Sequence, residues 1–296
     1  MLFADLAALG SFRLGLTGGE PLLRRELFDI MDCATDAGRH PCVTTNGFFI
    51  TEAVARKFAA RELIWLNVSL DGATAPSNDA IRGAGSFDRA VAGIRTLARF
   101  TRFTIAFTLT RENVDEIEDC VTLARKLGAH TPVFRAVYPA GAARDQLDLM
   151  PSFEAYQGAL LRLTEADVRP LDPFSPQARA INAARVVDNG GCGAANTTAS
   201  IGLDGRVSPC SFLGPEFDGA SVRDEPFEAI WRRGHRFAQL RDTADEAFAG
   251  GCRARSLAMT GSVHNRDPWE MAWRESGRIA PDDIVEVHNI LEAPDA

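Results

Sequence analysis

The most constraining feature of the sequence is a regular alternation of short apolar segments and amphipathic helical patterns over residues 1–165. Apolar segments typical of β-strands occupy residues 12–16, 41–45, 63–69, 103–109 and 131–137, with helical periodicity between them. We expect Thr51 and Ser86 to cap the helices that follow them. Near-uniformly apolar strands joined by helices are typical of a parallel sheet whose outer face is covered by those helices. The pattern therefore predicts an α/β fold, a partial (βα) barrel with its helices outside.

Polar turns follow the strands of this predicted sheet. In parallel sheets the carboxyl ends of the strands share one edge, and ligands bind there. We therefore expect a single binding mouth at that edge. Its candidate residues are Gly18, Gly19, Glu20 and Pro21 after the first strand, Asn46 after the second, Ser69 and Asp71 at the third, and Thr108, Asn113 and Arg135 as lesser candidates.

The turn from Gly18 to Pro21 has the composition of a ligand-binding turn. Its glycines permit close approach of the backbone to a ligand, and Pro21 suits the first turn of the helix that follows. Glu20 can accept hydrogen bonds from a cationic group. The alternative is a plain strand-to-helix connection that needs glycine for its geometry.

The composition excludes two classes of partner. The chain has 296 residues, of which 40 are acidic and 32 basic, and its net charge is -8. Without a long basic run, sequence-independent binding to nucleic acid is not expected. No apolar stretch reaches the roughly 18 residues that cross a bilayer, and Asp5 interrupts any signal-peptide pattern. The sequence predicts a soluble, cytoplasmic protein.

Six cysteines are too few for a disulfide scaffold in a chain of this length. In a reducing cytoplasm, free thiols or metal ligands are the better expectation. Helical or strand patterns surround the first three, so we expect them to be buried thiols: Cys33, Cys42 and Cys120. The other three are candidate metal ligands: Cys192, Cys210 and Cys252.

The composition changes in the second half of the chain. Three prolines between residues 168 and 176 indicate a boundary. Beyond it we predict a hairpin around residues 203–205 and a helix over residues 226–240. The predicted organisation is a core at residues 1–165, a linker at 166–180 and a small irregular α+β extension at 181–296.

Three motifs in the first half, TGGEPLLR, TTNG and NVSLDG, occur in that order on successive strands. Together they resemble the radical S-adenosylmethionine (radical SAM) enzymes. Cys192, the run from Gly205 to Cys210, and the run from Gly250 to Arg255 resemble the SPASM extension, which binds auxiliary iron-sulfur clusters. The stretch from Ser69 to Phe87 looks most like the mycofactocin-maturase and haem-modifying branch.

The resemblance implies roles for the candidate residues in S-adenosylmethionine binding. The methionyl amino group would be held by Gly18, Gly19, Glu20 and Pro21, and the ribose hydroxyls would be held by Ser69 and Asp71. Asn46 would support these contacts, and Arg135 would face the cofactor carboxylate. The alternative for each is a polar residue at a strand end that satisfies backbone groups.

The sequence departs from the family pattern at its metal sites. The family's CxxxCxxC loop, which holds a [4Fe-4S] cluster, does not occur in the sequence. We expect that one strand and this loop are absent from a fragment, and that the chain as written does not perform the family's reaction. In the extension, Cys252 is the only thiol of a CxxCxxxxxCxxxC block. The remaining thiols predict either one cluster with an open iron, a zinc site completed by His264, or no complete cluster.

Two functions follow from this resemblance. One is a radical SAM/SPASM oxidoreductase or maturase that acts on a small peptide or a tetrapyrrole-like substrate. The other is a non-catalytic descendant that binds a ligand or a partner at the barrel mouth. An unrelated phosphate-binding barrel is disfavoured, since no glycine-rich turn follows the last strands. The strand at residues 12–16 would form a sheet edge, which predicts poor solubility or oligomerisation.

Overall fold

Five parallel strands form the centre of the protein, in a computed structural model that describes residues 2–168, 192–241, 248 and 250–276. The strands are β1 (Arg13–Leu16), β2 (His40–Thr45), β3 (Trp65–Leu70), β4 (Thr104–Leu109) and β5 (Thr131–Ala136). They lie side by side in chain order, and every neighbouring pair is parallel. The predicted parallel sheet is confirmed.

Helices precede, connect and follow the strands of the sheet. They are α1 (Leu2–Ala8), α2 (Leu27–Asp36), α3 (Glu52–Ala59), α4 (Ala75–Arg82), α5 (Ser86–Leu97), α6 (Ile117–Lys126) and α7 (Phe153–Glu165). The predicted cap of α3 is present, since Thr51 accepts the Val54 N–H at 3.3 Å. Helix α4 was not predicted from the sequence. It is short and polar, and a capping box between Thr74 and Ser77 starts it rather than an apolar stripe.

The two faces of the sheet differ in burial. On one face, side chains such as Val68, Ile105 and Phe134 are at most 1% exposed and pack under the helices. Burial of each such side chain contributes about 1.5–3 kcal/mol to folding. The other face is half-exposed and polar: Asn67 donates to Thr44 Oγ1 at 3.3 Å and accepts from Thr104 Oγ1. The strands thus alternate in character rather than being uniformly apolar.

Helix α5 packs directly against the turn that follows β2. A Cβ atom on Gly93 would lie 2.0 Å from the carbonyl oxygen of Gly47, so only glycine permits this approach. Gly47 itself has a φ of +82°, a conformation that favours glycine. The Asn46–Gly47 turn is therefore held by a helix as well as by its own strand.

Three local predictions are wrong. Ser86 is the first residue of α5 rather than its cap, because the Asp79 carboxylate accepts the Gly85 and Phe87 N–H groups at 2.6 and 2.8 Å. These backbone donors lower the pKa of Asp79 to about 2. The helix predicted over residues 226–240 is two helices, α8 (Phe227–Arg233) and α9 (His235–Arg241). Cys33 is exposed rather than buried.

The described residues of the second half, 192–241, 248 and 250–276, have little regular structure. Strands β6 (Ser200–Ile201) and β7 (Val207–Ser208) form the predicted antiparallel hairpin, and α10 (Arg253–Thr260) and α11 (Pro268–Glu275) follow. Trp269 in α11 is 4% exposed, and its ring centre lies 5.1 Å from that of Tyr156. The predicted small α+β extension is confirmed in character.

The described residues divide into two compact units. The first comprises residues 2–136, 158–168 and 226–228, and the second comprises the rest. Within the first unit, Asp5 Oδ2 accepts the Phe227 N–H at 2.8 Å. Most of the predicted linker and the predicted start of the extension at 181 lie outside the described residues. Among the described helices, none has the length and apolar character needed to cross a membrane.

Candidate functional site

The turns after β1 and β2 are joined by the carboxylate of Glu20. Its Oε1 accepts the Leu22 N–H at 3.0 Å and the Thr45 hydroxyl at 2.7 Å. Its Oε2 accepts the Asn46 N–H at 2.7 Å. The structure therefore brings Glu20 and Asn46 together, as expected for one mouth, and adds Thr45. We call Glu20, Thr45 and Asn46 the clamp.

The clamp has an open side at the preceding glycines. Gly18, with a φ of +127°, and Gly19 are both exposed, and a Cβ on either would meet nothing within 4 Å. A carboxylate offers about four acceptor positions, and Glu20 uses three of them within the described part of the chain. The fourth position, on Oε2, can accept a hydrogen bond from an ammonium group.

The side chain of Asn46 acts inside its own turn. Its Oδ1 accepts the Phe48 N–H at 2.9 Å, which fixes the chain as it leaves β2. Pro21 is buried and begins a single helical turn, Pro21–Leu23, that Glu20 caps. Both residues thus shape the two turns that carry the clamp.

Asp71 lies in a buried cluster behind the mouth. It is 4% exposed, its Oδ2 lies 2.6 Å from Arg82 Nε, and its Oδ1 accepts the Thr108 N–H at 2.9 Å. The amide of Asn113 donates to the backbone oxygens of Asp71 and Thr108 at 2.7 and 2.9 Å. These contacts tie the ends of β3 and β4 together, and they occupy both carboxylate oxygens of Asp71.

Ser69 and Arg135 lie on the half-exposed face of the sheet. Ser69 pairs with Ala106 across β3 and β4, and Arg135 pairs with Thr108 across β4 and β5. Arg135 is exposed, and none of the described carboxylates forms an ion pair with it. A hydroxyl and a guanidinium are therefore available on this face, one on β3 and one on β5.

Two residues of this region had no role assigned from the sequence. Thr45 is 1% exposed and hydrogen-bonded to Glu20, and Arg82 balances the charge of Asp71. Thr45 stands next to the Asn-Gly turn, so its position at a strand end was a usable signal. Arg82 lies in α4, which carried no recognisable helical pattern.

The three candidate metal ligands of the extension lie near one another. Burial raises the pKa of Cys210 and raises that of Cys252 to about 12, and the neighbouring Cys192 adds to both shifts. Across the described residues, however, no three His, Cys, Asp or Glu side chains are grouped closely enough to hold a metal ion. Cys210 and Cys252 are thus buried thiols that each lie near Cys192.

A buried ion pair adjoins Cys252. Asp267 is fully buried and accepts the Cys252 N–H at 2.6 Å, and Arg255 donates to it through Nε and Nη2 at 2.8 and 2.5 Å. The guanidinium of Arg255 lies 4.5 Å from the ring centre of Trp269. This pair fixes the segment that carries Cys252 against α11.

Two protein families match the sequence. The Radical SAM superfamily matches residues 2–124, which include the clamp and the cluster around Asp71. The iron-sulfur cluster-binding domain SPASM matches residues 192–254, which include Cys192, Cys210 and Cys252.

Curated relatives align with most of the chain. The AdoMet-dependent heme synthase of Methanosarcina barkeri is 29% identical over 294 residues, 90% of this chain and 84% of that protein. The mycofactocin maturase MftC of Mycolicibacterium smegmatis is 30% identical over 299 residues, 94% of this chain and 76% of that protein. The MftC of Mycobacterium tuberculosis is 32% identical over 255 residues, and the chain spans 65% of its length.

Solved structures share the fold. The structure titled native anSMEcpe with bound AdoMet and Cp18Cys peptide has a TM-score of 0.75 at 15% identity. The similarity covers 98% of this chain and 90% of that one. The identity is low, so this similarity establishes the fold alone.

Proposed function

Because the chain belongs to the radical SAM superfamily and carries a SPASM extension, we propose that it binds S-adenosylmethionine and serves as an oxidoreductase or maturase that modifies a small peptide. The observation that carries this proposal is the clamp. Its remaining acceptor position on Glu20 Oε2, beside two open glycines, suits the methionyl ammonium of that cofactor. Ser69 and Arg135 are proposed contacts for the ribose and the carboxylate, and Asp71 supports the mouth from behind.

The test is direct measurement of S-adenosylmethionine binding by isothermal calorimetry. Replacing Glu20 with Gln removes the negative charge, and we expect about a tenfold loss of affinity or more. Glu26→Gln is the matched control, because Glu26 is exposed and its ion-pair partner is the exposed Arg24. The proposal fails if the wild-type protein does not bind the cofactor, or if Glu20→Gln binds it as tightly.

The cluster that activates S-adenosylmethionine in this family does not fit the residues of this chain. The sequence contains no CxxxCxxC motif, and the described residues contain no grouped set of metal ligands. In the family such a cluster supplies the electron that cleaves the cofactor. We therefore assign binding and orientation to the clamp and derive no radical step from it.

Because residues 192–254 match the SPASM domain, we propose that Cys192, Cys210 and Cys252 are ligands of an iron-sulfur cluster. In the described residues the three thiols are not grouped closely enough for this, so they must move together when the cluster binds. Loading requires thiolates, and the raised pKa values of Cys210 and Cys252 mean that binding must displace their protons. Anaerobic reconstitution with iron and sulfide, followed by visible absorption and iron analysis, tests this. Cys210→Ala should abolish the cluster and Cys33→Ala should leave it intact. If both variants still form the cluster, the proposal is wrong.

We propose a small peptide rather than a tetrapyrrole as substrate. The support is the mycofactocin maturases among the relatives, whereas the heme synthases support the other substrate. Fluorescent short peptides and protoporphyrin are two probes for binding to the whole protein. Saturable binding of protoporphyrin without peptide binding would overturn this choice.

The alternative from sequence, ligand binding without catalysis, predicts unchanged cofactor after incubation with reductant and peptide.

Association and location complete the proposal. Among the described strands β1 is an edge, and Arg13 and Gly15 on it are exposed, so we propose that the protein associates through this edge. Light scattering at micromolar concentration should show more than a monomer. A cytoplasmic location is proposed because all six cysteines are free thiols.

A further inference from the structure

We propose that Thr45 is a positioning residue for the cofactor's amino group, acting through the carboxylate of Glu20. This role rests on the proposed binding of S-adenosylmethionine, and it belongs to a residue that does not touch the cofactor. Thr45 is 1% exposed, so a ligand in the mouth does not reach its hydroxyl. Its contacts are internal and connect the two turns of the clamp.

The hydrogen bonds of Thr45 have only one consistent direction. The Gly47 N–H lies 3.1 Å from Thr45 Oγ1 and can only donate, so the hydroxyl oxygen accepts there. The single hydroxyl proton is then available for Glu20 Oε1, 2.7 Å away. Thr45 therefore donates its one hydroxyl hydrogen bond to Glu20 and accepts one from the Gly47 N–H.

Thr45 determines which acceptor position of Glu20 stays open. Oε1 accepts from the Thr45 hydroxyl and the Leu22 N–H, while within the described ranges Oε2 accepts from the Asn46 N–H alone. With Oε1 held on two sides, the carboxylate plane is fixed and the free position lies on Oε2. Without the hydroxyl, the carboxylate could rotate and present its free positions in other directions.

The hydroxyl also links the clamp to helix α5. It accepts the N–H of Gly47, whose carbonyl is in close contact with Gly93 of that helix. The turn after β2 therefore cannot shift without moving against a packed helix. Thr45 transmits this rigidity to Glu20, which keeps the acceptor in place before the ligand arrives.

Replacement of Thr45 by Val tests the role, because Val keeps the shape and removes the hydroxyl. The probes are S-adenosylmethionine and 5′-methylthioadenosine, which shares the adenosine but lacks the amino group. We expect Thr45→Val to weaken S-adenosylmethionine binding about tenfold and to leave 5′-methylthioadenosine binding unchanged. Thr45→Ser restores the hydroxyl and should recover wild-type affinity. Thr44→Val is the control, because Thr44 bonds Asn67 instead.

Far-UV circular dichroism checks that each variant folds. If Thr45→Val does not fold, Thr45→Ala is a second variant that lacks the hydroxyl. Equal loss of both probes would show a merely structural role and overturn the inference. Unchanged binding of S-adenosylmethionine in the hydroxyl-free variants would also overturn it. If the wild-type protein fails to bind S-adenosylmethionine at all, the proposed function itself is wrong. The wild-type titration thus separates the two failures.

Discussion

Each compact unit contains a buried carboxylate paired with an arginine, and the two pairs differ in their surroundings. Asp71 is backed by the sheet, and the side chain of its partner Arg82 is 26% exposed. Asp267 stands among short helices and loops, and its partner Arg255 is 4% exposed. In the barrel the ion pair supplements a hydrogen-bonded sheet. In the extension, where the strands have two residues each, the ion pair provides cross-links that a sheet would otherwise supply.

The largest effect is expected from Asp267→Ala. The change removes the carboxylate that accepts two hydrogen bonds from the buried Arg255 and one from each of two backbone N–H groups, at Cys252 and Trp269. We expect a loss of about 3–5 kcal/mol in the free energy of unfolding of the extension. Urea titration followed by tryptophan fluorescence suits the measurement, because Trp231, Trp269 and Trp273 belong to the second unit and Trp65 to the first. A loss under about 1 kcal/mol would refute the cross-linking role.

Asp71→Ala should have a smaller effect of about 2–3 kcal/mol. Arg82 is partly exposed, so water can solvate its charge when the carboxylate is removed. The Thr108 N–H loses an acceptor, while the β3–β4 ladder remains. Far-UV circular dichroism during urea unfolding reports on the helices and the sheet of the barrel. If Asp71→Ala lowers the free energy of unfolding as much as Asp267→Ala does, the surroundings of the two ion pairs do not determine their contribution to stability.

Gly93→Ala examines packing rather than charge in the barrel. The added Cβ would clash with the Gly47 carbonyl at 2.0 Å, and we expect a loss of about 1–2 kcal/mol. Gly158→Ala in α7 is the matched control, because a Cβ there meets nothing within 4 Å. The control should be neutral or slightly stabilising, since alanine favours helix. Equal shifts of the urea midpoints in both variants would contradict the close packing of α5.

Arg144→Ala should have the smallest effect. Arg144 and Glu216 form an ion pair within the second unit, but their side chains are 36% and 42% exposed. Exposed pairs contribute about 0–1 kcal/mol, so the expected loss is below 1 kcal/mol. The same fluorescence-detected urea titration applies. A loss near that of Asp267→Ala would show that charge pairing, and not burial, holds the extension together.

Periodicity predicted the barrel because its strands and helices follow simple rules. The five strands lie within two residues of their predicted bounds, and the three motifs identified the family that the comparisons confirm. Residues 2–124, which match the family, contain four of the five strands and all three motifs. Local rules fail where a side chain from elsewhere replaces a local cap, as Asp79 does at the start of α5.

The connections among the candidate residues depend on contacts between distant parts of the chain. Glu20 and Asn46 were both candidates, but their hydrogen bond spans 26 positions and involves the backbone of Asn46. Asp71 was identified as a polar strand end, while its burial depends on Arg82 and on the Thr108 N–H of the next strand. The extension offered less, because two-residue strands and short helices carry little periodicity.

The hydrogen bond between Asp5 and Phe227 has a consequence for synthesis of the protein. The two residues are 222 positions apart, yet both belong to the first unit. Helix α1 leaves the ribosome before strands β1 to β5, but its partner Phe227 is translated 222 positions after Asp5. The barrel therefore completes its last contacts late, and a nascent chain stalled before residue 227 would hold α1 without its final partner.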